Sequence, residues 1–178
     1  MLFVYVDDIL AVLHKATDVI KDITAFYRAK EGRIKPPDIY LGANIMKVQM
    51  TDVREVWGSS SRDYVKNAVI TVDRLFEEDG EGYTLSNKVK APFPSGYKPE
   101  LDVTEEFGPE LETRYLQLIG ICRWAVEIRR IDIFLEVSLL SQYQAGPRLG
   151  HLEVLYNVFA YIKKHKDMGK LAYDSKNP

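Results

Sequence analysis

The chain has 178 residues, 46% hydrophobic and 28% charged, enough to bury one core or a core with a docked subdomain. With 24 basic and 26 acidic residues the net charge is −2, so no global field draws it to nucleic acid or anionic lipid, and any such contact has to be local. The single cysteine, Cys122, excludes an internal disulfide and a Cys-based zinc knuckle, and suits a reducing, cytoplasmic compartment.

The opening MLFVYVDDILAVL holds two apolar runs, residues 2–6 and 9–13, parted by Asp7-Asp8. This pattern predicts a strand–turn–strand hairpin with the two aspartates as its loop. A membrane-spanning helix needs about 20 apolar residues, and an aspartate at its centre costs roughly 2.5–3.5 kcal/mol on insertion scales. No basic stretch precedes the run, so it is expected to be a structural element and not a signal peptide. Val19, Ile20, Ile23, Phe26 and Tyr27 then recur at helical spacing, with Thr17 or Asp18 as N-cap. Pro36-Pro37 stops any helix beyond Lys35. Residues 38–50 read as one strand and 54–57 as a second that pairs with it.

Ser60 and Asp63 form a Ser-x-x-Asp capping box. It opens a helix with the stripe Tyr64, Val65, Ala68, Val69, Val72, Leu75 and Phe76. The loop from Asp79 to about Thr113 holds four of the eight prolines, and residues 100–112 carry six acids and no base. So long a loop reads as a solvated boundary, with residues 1–78 before it, a linker over 79–112 and a helical part over 113–178. Three amphipathic segments follow, 109–129, 131–144 and 148–166. The chain closes on KLAYD, a strand start with nothing after it to pair with. The expected class is α+β: a small antiparallel sheet leading into a mainly helical half.

Two carboxylates at a hydrophobic hairpin tip are held firmly and stay exposed. Hard divalent ions such as Mg²⁺ take one or two protein carboxylates plus substrate phosphates. In nucleotidyl transfer a pair of such ions activates the attacking hydroxyl and stabilises the leaving oxygen. The ordinary role of Asp-Asp is simply to turn the chain.

The surrounding hydrophobics and Tyr5-Val6 raise the metal-binding role over the turn role. Tyr5-Val6-Asp7-Asp8 resembles the YxDD box of reverse transcriptases, a palm-domain hairpin holding two of three catalytic aspartates. Downstream, Tyr40-Leu41-Gly42, Tyr115-x-x-x-Ile119-Gly120, Arg130-x-Asp132-Ile133, Ser138-Leu139-Leu140-Ser141, Pro147, His151 and Tyr161-Ile162-Lys163 are similar to the pattern of copia-type retrotransposon polymerases. The resemblance covers nearly the whole chain apart from the acidic loop.

It implies a palm-like sheet followed by a thumb- and connection-like helical half, and RNA-directed DNA synthesis with Mg²⁺ or Mn²⁺. Asp7 would be a ligand shared by both metals, and Asp8 a second ligand or electrostatic helper. Tyr5 and Val6 would lie against the primer–template. Lys30, with Lys35 as the alternative, would assist the pyrophosphate leaving group. Tyr40, Leu41 and Gly42 would form the strand that grips the primer end. The implied partners are an RNA template with its DNA primer and a deoxynucleoside triphosphate, with no membrane, in the virus-like-particle setting of an intact element.

The family's third catalytic aspartate lies upstream of the box. The resemblance therefore implies a polymerase fragment that is inactive alone. The alternative is a non-catalytic remnant that binds nucleic acid or protein through its helical half, where Arg148, Lys163, Lys164, Lys166 and Lys170 make a basic segment. Ile131 stands where the family has proline. His14 reads as structural, Gly80-Glu81-Gly82 lacks the context of a nucleotide fingerprint, and Trp57 and Trp124 read as packing residues.

Overall fold

The computed structural model describes residues 2–13, 15–29, 34–79 and 84–173. Lys30, His14 and Gly80-Glu81-Gly82 lie outside them. The described chain is α+β, with six strands in two antiparallel sheets and five α-helices.

Strands β1 (Leu2–Tyr5) and β2 (Asp8–Ala11) form the expected hairpin. Its loop, however, is Val6-Asp7 rather than Asp7-Asp8, because Asp8 already pairs with Tyr5. Val6 has φ 52°, the positive first position of a type II′ turn, whose twist suits the flanking strands. Only that turn geometry holds a β-branched residue there, since valine disfavours positive φ. Helix α1 (Ala16–Phe26) begins before both predicted caps, which places Asp18 in its first turn, favourably toward the helix dipole. No α1 residue is fully buried.

The strand expected over 38–50 is two strands, β3 (Ile39–Tyr40) and β4 (Ala43–Gln49). Leu41 and Gly42, at φ 51° and 86°, turn the chain between them with the double positive φ of a type I′ loop. Strand β5 (Glu55–Ser60) runs further than predicted and takes in Ser60. The capping box is therefore not made. The Ser60 hydroxyl accepts the Arg62 N–H at 3.3 Å, while the Asp63 carboxylate accepts Asn44 Nδ2 at 2.8 Å. Strand β6 (Lys170–Tyr173) pairs antiparallel with β5 and gives the sheet order β3-β4-β5-β6. The C-terminal segment thus finds its partner upstream, in β5.

Helices α2 (Arg62–Asp79), α3 (Pro109–Glu127), α4 (Phe134–Leu140) and α5 (Leu149–Lys164) enclose the core. Val65, Val72, Leu118, Ile119, Cys122, Leu140, Leu155, Val158 and Phe159 meet there, joined by Leu85 and Val89 from the connection. Burial pushes the Cys122 thiol well above its ordinary range, so it stays a neutral packing group. Helix α3 starts with proline at its first position, where a missing N–H costs nothing. It ends in a Schellman pattern: Arg130 N donates to Ala125 O at 2.8 Å and Arg129 N to Val126 O at 3.1 Å. Arg129 occupies the left-handed position, φ 113°, that glycine usually fills.

The acidic connection is largely exposed, as its composition predicts, yet it is pinned to the start of α5. Asp102 accepts Tyr97 Oη at 2.7 Å, Thr104 N at 2.9 Å and Thr104 Oγ1 at 2.5 Å. Thr104 Oγ1 in turn accepts Gly150 N at 2.8 Å. His151, fully buried, accepts Arg148 N at Nδ1 and faces Pro99 O with Nε2 at 3.1 Å. The second contact requires the proton on Nε2.

Candidate functional site

The hairpin tip carries Asp7 in the turn and Asp8 at the first position of β2, both exposed. Among the described residues neither carboxylate takes a hydrogen bond or ion pair. Two unneutralised adjacent carboxylates fit a hard divalent ion that keeps most of its water shell. No group of three His, Cys, Asp or Glu side chains among the described residues is placed to hold a metal. A third ligand is thus not supplied by the described part of the chain.

Tyr5 sits directly across the hairpin from Asp8, so the two side chains share one face. Its ring meets the Trp124 indole with centroids 6.0 Å apart. The indole Nε1–H donates to Leu41 O at 3.2 Å, in the turn between β3 and β4. Gly42 lies between two rings: a Cβ there would stand 3.5 Å from Tyr64 Cδ2 and 3.6 Å from Trp124 Nε1. Tyr64 is fixed by a hydrogen bond to Ile121 O at 3.1 Å, and burial pushes its hydroxyl up to about 12. Tyr40 closes the group. Burial, and after it the nearby Asp8 carboxylate, raise its hydroxyl above the ordinary value of 10.

The structure therefore brings Tyr5, Asp7, Asp8, Tyr40, Leu41 and Gly42 into one neighbourhood. Val6 projects away, 86% exposed at the turn. Tyr40 lies in a strand as expected, whereas Leu41 and Gly42 form a turn, because only a two-residue loop lets Tyr40 pair with Ala43. Lys30 is not among the described residues. Lys35, its alternative, is paired with Asp38 at 2.5 Å. That hydrogen bond holds the Asp38 carboxyl below its ordinary value.

Trp124 is the site residue that the sequence reading passed over. At about 100° per residue it lies roughly opposite Tyr115 and Ile119 on α3, away from the buried stripe. A large aromatic off the core face of an amphipathic helix needs a second partner, and that was the available signal.

The basic segment 148–170 is largely spoken for within the chain. Arg148 binds Thr104 O at 2.6 Å and Glu106 Oε1 at 2.7 Å, Lys163 binds Asp73 at 3.1 Å, and Lys164 donates to Val89 O at 2.7 Å. Most of α5 faces the core.

In sequence, the chain is 29% identical over 169 residues to a transposon Ty5-1 protein of Saccharomyces cerevisiae. The match takes in 93% of this chain and 49% of that protein. The chain thus spans about half the length of the relative it matches. No family model matches the chain, and no solved structure does. The likeness supports a retrotransposon origin. No helix among the described residues is long and apolar enough to cross a membrane.

Proposed function

We propose that this chain carries the end of the polymerase domain of a copia-type reverse transcriptase, from its Tyr-Val-Asp-Asp hairpin onward. The inherited reaction adds a deoxynucleotide to a primer 3′ hydroxyl on an RNA template. The supporting observation is the hairpin itself: it presents Asp7 and Asp8 at its tip, without a partner among the described residues, beside Tyr5 and the Tyr40–Gly42 turn.

Asp7 and Asp8 would hold the divalent ions, which supply charge neutralisation at the phosphates when bound. The rest is the work of the protein's own groups. Tyr5 offers a ring face next to the carboxylates, and the Tyr40–Gly42 turn offers backbone close enough to contact a strand end. Gly42, at φ 86°, supplies the left-handed position that this turn needs. Lys30 remains the proposed contact for the leaving phosphate. The partners are an RNA–DNA hybrid and a deoxynucleoside triphosphate, and the setting is intracellular.

With two carboxylates and no described third, the chain alone is expected not to extend a primer. The test combines Mn²⁺ calorimetry with primer extension on a poly-A template. Mn²⁺ binding should be lost in Asp7→Asn and weakened in Asp8→Asn. Binding that survives both changes refutes the site. Extension by the chain alone that vanishes in Asp7→Asn refutes its inactivity.

A further inference from the structure

We propose that Trp124 is a positioning residue that fixes the carboxylate-bearing turn against the Tyr40–Gly42 turn. The proposal rests on the reading of Asp7 and Asp8 as metal ligands, and extends it to a residue that touches neither.

One indole contacts both turns. Its ring meets Tyr5, and its N–H holds the Leu41 carbonyl at 3.2 Å. Its Nε1 also stands 3.6 Å from where a Cβ at Gly42 would lie. Its own backbone is rigid, since the neighbouring Cys122 and Ala125 are fully buried and α3 packs through Tyr115, Leu118 and Ile119.

The hairpin has little else to hold it. None of its residues is fully buried, and α1 behind it contributes no buried side chain. A two-stranded hairpin alone is marginal in water, so its resting place is set by its few docking contacts. Tyr5 and Asp8 form a cross-strand pair, so a shift of the Tyr5 ring carries the Asp8 carboxylate with it. Loss of the indole frees both turns at once.

The experiment measures Mn²⁺ affinity of the full chain by calorimetry in Trp124→Leu, Trp124→Phe and Tyr5→Leu, with Asp7→Asn as reference. Amide exchange of residues 3–10 is followed in metal-free protein. Supporting groups behind metal ligands typically change affinity 10–100-fold, and Trp124→Leu should fall near the roughly 10-fold end. Trp124→Phe keeps a ring for Tyr5 and should recover part of the loss. Tyr5→Leu, on an exposed strand, should reproduce it, and decides the matter if Trp124→Leu does not fold. Faster hairpin exchange should accompany the weaker binding. Unchanged affinity in Trp124→Leu and Tyr5→Leu, with binding still lost in Asp7→Asn, overturns the positioning role alone. Absence of Asp7-dependent binding in the parent chain overturns the site reading and the positioning role with it.

Discussion

Adding one methyl group at Gly150 tests how the acidic connection is fastened to α5. A Cβ there would overlap Asp102 Oδ2 and stand 2.8 Å from Cγ and 3.0 Å from Oδ1, inside ordinary contact distance. Asp102 cannot swing aside freely, because three donors hold it: Tyr97 Oη, Thr104 N and Thr104 Oγ1. Hydrogen bonds to a charged group contribute about 1.5–3 kcal/mol each, and partial exposure returns some of that through water. Ala over Gly in a helix gains up to about 1 kcal/mol, less in a first turn. The balance predicts that Gly150→Ala destabilises by about 2–3 kcal/mol, a fall in Tm of about 4–12 °C for a chain of this size.

Urea and thermal melts of Gly150→Ala, Asp102→Ala and the double variant measure it. With Asp102 truncated the obstacle is gone, so Gly150→Ala should become neutral or stabilising in that background. Equal destabilisation in both backgrounds refutes the steric reasoning. The pH dependence carries a second check. Burial raises the Asp102 carboxyl, but the Thr104 and Tyr97 hydrogen bonds outweigh it and leave the group below its ordinary value of 3.8. A carboxyl depressed in the folded state stabilises above its unfolded pKa, and that contribution fades as pH falls through the folded one. Asp102→Asn should therefore flatten part of the acid limb of stability.

Val6→Gly should relieve the strained positive φ and stabilise the hairpin by about 1 kcal/mol, seen as roughly fivefold slower amide exchange in residues 3–10. Faster exchange would show that the Val6 conformation is not strained. Asp132→Ala should cost about 3–5 kcal/mol, because it strands the fully buried Arg130 guanidinium that it binds at 2.8 and 2.7 Å. Arg130→Met with Asp132→Ala should cost clearly less in denaturant melts, and a double variant as unstable as Asp132→Ala would refute that account.

The periodic segments were legible because tertiary packing agreed with local pattern. The apolar stripe from Tyr64 to Phe76 is the α2 core face, and the three later amphipathic stretches lie where α3 to α5 form. Positions that depend on turn geometry were not legible. Neither Val6 nor Leu41 advertises a positive φ, so local pattern alone puts the first loop one residue late and runs the second through as strand. The capping box failed for a related reason: Ser60 was drawn into β5 by its pairing with Asn44 and Lys170. At the site, Asp7 and Asp8 could be named from four residues. Trp124 could not, because its role exists only once residues 5, 41 and 124 meet.

That meeting has a consequence for how the site is held. The hairpin meets Trp124 through Tyr5, on the face that Tyr5 shares with Phe3, while Leu2, Val4 and Ile9 alternate to the other face, Val4 60% exposed. An apolar face and an open edge of this kind favour association with other chains. The hairpin's order depends on the Trp124 side. The indole is in turn placed by the core face of α3, which packs against α4 and α5 far from the carboxylates. Core substitutions that loosen α3 should therefore disturb the hairpin before they unfold the sheet, since β4 and β5 carry their own long ladder while, among the described residues, the hairpin meets the helical half through the Tyr5–Trp124 contact. The helical half is thus part of the site's scaffold, and the two carboxylates are only as well placed as that helix allows.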